Sequence, residues 1–519
     1  MQRENLVQSI GIDLGTTYSC VFSRTQGAER LIAAPDGGDL TPSVVYFDPD
    51  GSVLVGTEAK SYVASDPDNV VVGIKRQMGK EFQLEYGGRT LTPEGISALI
   101  LKRLAKDAAD VLRCRAEELR AVITVPAYFG VAEKEATHAA AKIAGLHCLE
   151  LLAEPVAAAY AYGAHTESAR TSLVFDLGGG TFDVAIIGFD RGSPRIWAVD
   201  GETRLGGLDW DLRLADLLWE QVEAQTGNDD FRDDDEFVGA LNSAAEQVKR
   251  QLSQSDSAPK TIRHGKHKFA LSVLRTDFES ATRDLVLQCR QSVERVCGAA
   301  TALGAPPISR VLLVGGSTRM PMIRTFLSDL LKVPVEITDP DKAVARGAAA
   351  LAEQLSVPPM LGGTTASTGS PRITPVLPRA IGVYVHSSAE PWRPDPYVRK
   401  ALTANTQLPI VAHQVSVATI LDNQDKARIQ LYEQGGALVS ERPEDNRLVF
   451  DCEVSDIPRA NGGTEIRLLV SIGIDGRITA EARSYKNKLL PMEAFIEGVL
   501  DDNEVAKQSQ AIAGFLLAD

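Results

Sequence analysis

Two short stretches place a carboxylate, glycines and hydroxyl side chains where an apolar run stops. In VFDLGGGTFDV the run ends at Asp176, and Gly178, Gly179, Gly180 and Thr181 precede a second apolar run. In GIDLGTTYSCV, Asp13 holds the equivalent place, followed by Gly15, Thr16, Thr17 and Tyr18. Glycine weakens a strand, so three in succession need a reason. Phosphate supplies one. With no Cβ in the way, backbone N–H groups can approach an anion, and the hydroxyls of Thr16, Thr17 and Thr181 add donors. A carboxylate at each strand end can hold magnesium through the waters that ion keeps. Asp13 and Asp176 are the candidates.

A third stretch, RVLLVGGSTRMPMI, runs an apolar strand into Gly315, Gly316 and Ser317, then Arg319, then a helix opened by Pro321. Proline suits a first helical turn, and such a junction can seat a nucleoside against backbone. Other motifs are absent. GIKRQMGK has five residues between its glycines, so it is no P-loop, and GGSTR lacks the last glycine of a nucleophile elbow. There is no G-x-G-x-x-G and no H-E-x-x-H. His264 and His267 lie in a basic stretch that reads as a solvated loop. In AAEQVKRQLSQ, Glu246, Lys249, Arg250 and Ser253 share one helix face, while Leu241, Val248 and Leu252 lie largely on another. Periodicity alone makes that polar face a solvated one.

The elements that must carry these residues are legible in outline. The chain has 519 residues, 44% of them hydrophobic and 24% charged, which allows several globular domains. Up to residue 355, β-type runs (8–14, 121–125, 172–176, 184–189, 310–314) alternate with helical patterns (94–112, 131–144, 237–253, 276–299, 320–331), an α/β arrangement. The matched Asp-Leu-Gly stretches suggest that its unit is duplicated, with two phosphate loops facing each other. Residues 356–372 are rich in Gly, Ser, Thr and Pro and read as a linker. Residues 373–487 are β-rich, with Asp475-Gly476 marking a hairpin, and read as a β-sandwich. Residues 488–519 leave room for one short amphipathic helix. The net charge of −15 disfavours nucleic acid. The six cysteines form no C-x-x-C pair, so neither zinc nor a disulfide framework is indicated. With no secretory signal and no apolar stretch of spanning length, a cytoplasmic protein without membrane attachment is expected.

Taken together, GIDLGTTYSCV, VITVPAYF, EPVAAAYAYG, VFDLGGGTFDV and LLVGGSTRMP resemble the DnaK-type chaperones, the heat-shock protein 70 family within the actin-like ATPases. The match covers essentially all of 8–355. It is weaker over 373–486, through ITPVLPRAIGV, LDNQDKARIQLYEQ and SIGIDGRITAEA. The resemblance implies a two-lobed ATPase domain with ribonuclease-H-like subdomains, then a peptide-binding sandwich and a helical remnant of a lid. It implies slow hydrolysis of ATP to ADP and phosphate, with Mg2+ as cofactor and K+ as a further candidate ion. By position, Asp13 and Asp176 match the carboxylates that hold hydrated magnesium. Thr16 to Tyr18 and Gly178 to Thr181 match the phosphate loops. Lys75 matches the lysine that positions water and γ-phosphate, where a cation offsets developing charge. Glu154, otherwise a helix-start acid, matches a sensor near the metal-bound water. Glu246, Lys249, Arg250 and Ser253, with Gly315, Gly316, Ser317, Arg319 and Asp341 opposite, match the adenosine site. Val417, Ile420, Ala427 and Ile429 match positions lining the pocket for extended, apolar client segments, a mode that combines main-chain hydrogen bonds with side-chain pockets.

Departures from the pattern bear on regulation. The family's leucine-rich linker patch is replaced at 357–372, where only Val357, Met360 and Leu361 could substitute. Gly130-Val131 stands where Asn-Asp is common, and Glu150 where a basic residue is usual, which alters the surface for a J-domain co-chaperone. The stretch 254–272 is short, which bears on the need for a nucleotide-exchange factor. With one helix at most after the sandwich, clients should exchange quickly. The reading is a monomeric ATP-dependent chaperone of unfolded polypeptides. The alternative is an ATP switch whose β domain docks one dedicated partner.

Overall fold

The computed structural model describes residues 8–162, 170–190, 193–227, 230–356, 374–386, 396–436, 438–474, 476–495 and 500–517. The linker reading beyond Ser356 lies outside these residues, as do Gly163 and Asp475.

Two sheets of one topology form the first part of the chain. The first runs β1 (Gln8–Asp13), β2 (Tyr18–Thr25), β3 (Ala28–Ile32), β4 (Leu119–Val125) and β5 (His147–Ala153), in spatial order β3-β2-β1-β4-β5, with a short strand at Thr41–Pro42 beside β2. The second has β6 (Thr171–Leu177), β7 (Phe182–Asp190), β8 (Ser193–Glu202), β9 (Ile308–Val314) and β10 (Val335–Ile337), in spatial order β8-β7-β6-β9-β10. In each, an antiparallel meander is extended by two parallel strands. The duplication expected from two short motifs is therefore a repeat of whole lobes. β6 is buried along its whole length, as a strand covered on both faces must be.

Alanine and glycine set how closely the lobes approach. The helices α1 (Val131–Ile143), α2 (Glu154–Ala161), α3 (Gly207–Thr226), α4 (Asp235–Leu252) and α5 (Ala343–Ser356) flank the sheets. A Cβ on Gly347 of α5 would lie 1.8 Å from Ala157 O of α2, and one on Gly11 of β1 would lie 2.1 Å from Ala349 N. The alanine run of α2 is thus a packing surface at which α5 touches down. Two expectations need correction. The helical pattern at 276–299 is two helices, Arg275–Ala281 and Arg283–Ala302, broken at Thr282, whose hydroxyl turns back to Phe278 O (2.8 Å). The stretch with His264 and His267 is an antiparallel hairpin, Ser257–His264 with His267–Leu274; it buries Ile262, Phe269, Leu271 and Val273 between its basic residues.

The later strands, β11 (Ile381–His386), β12 (Pro396–Leu402), β13 (Ile410–Ala418), β14 (Ala427–Gln434), β15 (Asn446–Val454), β16 (Glu465–Ile472), β17 (Ile478–Ser484), β18 (Leu489–Leu490) and β19 (Met492–Phe495), make a sandwich. Its sheets run β12-β11-β14-β15-β19 and β13-β16-β17-β18 around one apolar core. Paired strands continue past 487, because β18 lies on β17 and β19 on β15. The expected terminal helix is α6 (Asp502–Ala513), opened by a capping box between Asp501 and Glu504. It packs on the first lobe through Val505 and Ile512, and Phe515 joins that lobe's core. Leu516 and Leu517 then pair in parallel with Ser52 and Val53.

Candidate functional site

The shared topology brings Asp13, at the end of β1, and Asp176, near the end of β6, to one cleft of about 600 Å³ between the lobes. Thr16, Thr17, Tyr18, Gly178, Gly179, Thr181, Lys75 and Glu154 line it with them. Gly180 sits just behind. The two glycine-bearing loops touch. A Cβ on Gly179 would fall 1.7 Å from Thr17 Oγ1, and one on Gly180 would fall 2.3 Å from Thr16 Cγ2. The start of α3 braces the second loop, with the amides of Gly207 and Leu208 donating to Gly178 O (2.9 Å) and Gly179 O (2.8 Å). Ser317 Oγ adds a bond to Gly178 O (2.9 Å). Thr17 Oγ1 is buried without a hydrogen-bond partner, a donor left over for something in the cleft.

Behind the loops lies an unbalanced set of charges. Lys75 comes from the turn Ile74–Gln77, which Gly73 enters at φ +65°. Its Nζ donates to Glu154 Oε1 at 2.7 Å, and both side chains are 7% exposed. Asp176 and Asp183 are also buried there, and Asp13 is partly so. Burial, then the Glu154 charge, pushes Asp13 up to about 7. The same two causes raise Asp183 to about 7 and hold Asp176 well above the usual carboxylate range. Burial pulls the Lys75 ammonium down, but Glu154 and then Asp13 outweigh it and keep it above its ordinary value. One ammonium cannot neutralise four carboxylates. No three potential ligands among the described residues converge on a directly bound metal.

The far end of the cleft gathers the residues that periodicity would have left in solvent. Leu241, Val248 and Leu252 do face the core, and the opposite face of α4 lines the cleft. Glu246 accepts from Tyr18 Oη (3.2 Å) and Lys60 Nζ (2.7 Å), while Arg250 donates to Tyr18 Oη (2.9 Å) and Glu246 (2.7 Å). Lys249 bridges Asp211 Oδ2 and Gly207 O, both at 2.8 Å. Ser253 caps the helix end. Across from them stand Gly315, Gly316, Ser317 and an Arg319–Asp341 ion pair at 2.6 Å. Gly315 has φ +80°, and a side chain there would meet Leu177 O at 2.4 Å, so glycine is required on both counts.

None of the four residues matched to a client pocket lines this cleft. Val417 on β13 and Ala427 on β14 are partly buried against the sandwich core, Ile429 is inside it, and Ile420 is half-buried beyond β13. Sequence reading missed Lys60, Asp183 and Asp211. Asp183 had a signal, since a hairpin in simple register pairs it with Asp176. Lys60 and Asp211 had none, because their partners are distant in the chain.

The family profile described as "Hsp70 protein" matches residues 9–86 and 82–511. The chain is 35% identical over 489 residues to a protein of Thermotoga neapolitana named "Chaperone protein DnaK", covering 91% of this chain and 78% of that protein. It is also 35% identical over 490 residues to a protein of the same name from Halobacterium salinarum, covering 91% of this chain and 72% of the relative.

Proposed function

The chain belongs to the Hsp70 family and is an ATP-hydrolysing chaperone of the DnaK type; from that premise we propose how its own residues divide the work. The observation that carries the proposal is the buried charge imbalance beneath two touching glycine loops. Such a site suits a polyphosphate with its magnesium. The loops and Thr17 would hold phosphate oxygens, and Asp13 and Asp176 would hold the ion through its waters; no direct ligand triad stands among the described residues. The bound ion supplies the positive charge that the four carboxylates lack.

Lys75 would place the attacking water and offset charge on the γ-phosphate, and Thr181 would donate to that phosphate. Glu154 holds Lys75 in place. Glu246, Lys249, Arg250 and Ser253 would grip ribose and adenine against Gly315, Gly316 and Ser317, with the Arg319–Asp341 pair beyond. We expect turnover to be slow. The sandwich would hold extended apolar client segments, with Val417, Ile420, Ala427 and Ile429 in or beside the pocket. No helix among the described residues is long and apolar enough to cross a membrane; we place the protein in the cytoplasm as a monomer. A J-domain partner would meet an altered surface. Val131 is buried against the sandwich core, and burial raises the Glu150 carboxyl where the family usually carries a positive charge.

The test is ATP turnover by the full chain with Mg2+, with and without a panel of unfolded peptides. Turnover raised by several unrelated peptides supports a general chaperone. Turnover that ignores all of them supports a switch dedicated to one partner.

A further inference from the structure

The terminal helix and the first lobe are shaped for each other. α6 carries Val505, Gln508 and Ile512 on one face, at i, i+3 and i+7, and buries all three. Gln508 is a polar side chain only 8% exposed. Its Nε2 donates to Thr90 O (3.1 Å), and its Oε1 accepts from the Thr92 amide (3.3 Å). The helix beneath it, Pro93–Leu112, leaves room in its first turn: a Cβ on Gly95 would fall 2.4 Å from Gln508 Oε1. Glycine in a helix costs about 1 kcal/mol against alanine, so an open position there needs a reason, and Gln508 supplies one.

Beyond the helix the segment becomes a strand. Phe515 is buried beside Phe47 and Tyr86, with ring centroids 5.7 and 6.2 Å away. The Arg89 guanidinium lies over the same ring, 4.4 Å from its centroid, and its Nη1 donates to Ala511 O (3.0 Å). That carbonyl belongs to the last turn of α6, where a cation is favourable. A Cβ on Gly514 would fall 2.3 Å from Arg89 Nη2, so a side chain there would push the guanidinium off the ring. Leu516 and Leu517 then extend the sheet edge at Ser52 and Val53. Each partner thus gives up a Cβ to the other, at Gly95 and at Gly514, and a strand is added at a sheet edge. These are the marks of a groove built for a peptide. None of these residues lines the cleft or belongs to the sandwich core.

We propose that the first lobe carries a peptide site of its own, separate from the sandwich. Its ligand is a helix-then-strand segment of the pattern Val-x-x-Gln-x-x-x-Ile-x-Gly-Phe-Leu-Leu, and this chain fills it in cis with residues 505–517. The aromatic rings and the sheet edge hold the strand, and Gln508 and Arg89 fix its register. The occupant is exchangeable. Only two residues pair at the edge, and the Lys142–Asp502 bridge beside the helix is exposed and adds little. A free peptide of the same sequence therefore competes for the site. The proposal stands whether or not the sandwich binds clients.

The experiment measures, by fluorescence anisotropy, binding of a labelled synthetic peptide with the sequence of residues 500–519 to the full chain. In wild type the tethered segment competes as though at about millimolar concentration, so the free peptide should bind weakly. Phe515→Ala together with Gln508→Ala in the chain weakens the tethered copy and leaves the groove intact. That double variant should tighten the Kd of the free peptide about tenfold or more. Adding Gly95→Ala or Arg89→Ala damages the groove and should return the Kd to the wild-type level. Gln508→Ala alone should move the Kd in the same direction as the double variant, and it decides the matter if the double variant does not fold. Equal binding to wild type and to the terminal-segment variants overturns the proposal. So does binding that survives both Gly95→Ala and Arg89→Ala, which would put the peptide on the sandwich instead.

Discussion

Two buried clusters of charge in this molecule differ in one respect. At the joint between sandwich and ATPase body, Arg379, just before β11, and Arg447 of β15 face Glu133 of α1 and Glu433 of β14, and the charges balance. In and behind the cleft, Lys75 faces Asp13, Asp176, Asp183 and Glu154, and they do not. A cluster balanced in charge needs no further ion and works as a connection. An unbalanced one is held at a cost in isolation and is relieved by a ligand that brings cations. The difference separates a structural connection from a binding site without reference to pockets.

The largest effect should come from removing the lysine that sits among the buried carboxylates. Lys75→Ala should bind ATP with near wild-type affinity yet lose about 100-fold or more in single-turnover hydrolysis, the usual scale for deleting one electrostatic stabiliser. Unchanged turnover would take Lys75 out of the mechanism.

Stability should respond with opposite signs in the two clusters. Glu433→Gln strips a buried arginine of a partner and should cost about 3 kcal/mol. Asp176→Asn removes a carboxylate from an overcrowded set. It should stabilise the nucleotide-free protein by about 1 kcal/mol while weakening Mg2+-nucleotide binding. Denaturant unfolding of both variants without nucleotide is the check, and equal destabilisation would erase the distinction between the clusters.

The pH dependence follows from the same imbalance. Asp13 and Asp183 are raised from 3.8 to about 7 in the fold, so the native state holds protons that the unfolded chain has released. Their contribution to stability is therefore full below about pH 4 and is lost as pH rises through about 7. Unfolding free energies of the nucleotide-free protein across that window should decline, and saturating Mg2+-ATP should flatten the decline. The smallest effect is expected at the rim. Lys60→Ala breaks a partly exposed bridge to Glu246 beside Tyr18 and should speed nucleotide release only about threefold, as measured by stopped flow.

What sequence reading could see was decided by distance along the chain. The two Asp-Leu-Gly loops were legible because strand, carboxylate and glycines are contiguous, and their likeness already implied two lobes. The Lys75–Glu154 pair was not, since nothing local links a turn lysine to the first residue of a distant helix. The joint was hidden for the same reason. Gly130 looked only like a departure from a family pattern until Glu433 was found resting on it. The 257–274 hairpin was missed because basic residues alternate with Ile262, Phe269, Leu271 and Val273, so its outward face dominated the reading. The break at Thr282 was missed because the apolar pattern runs through it.

On the proposed function, the cleft is a site because its charges wait for a cation-bearing polyphosphate. The most direct test is calorimetry of Mg2+-nucleotide binding to the full chain at pH 7 in buffers of different ionisation enthalpy. Net release of protons is expected as the raised carboxylates ionise around the incoming ion. Binding with no proton release, or with uptake, would contradict it.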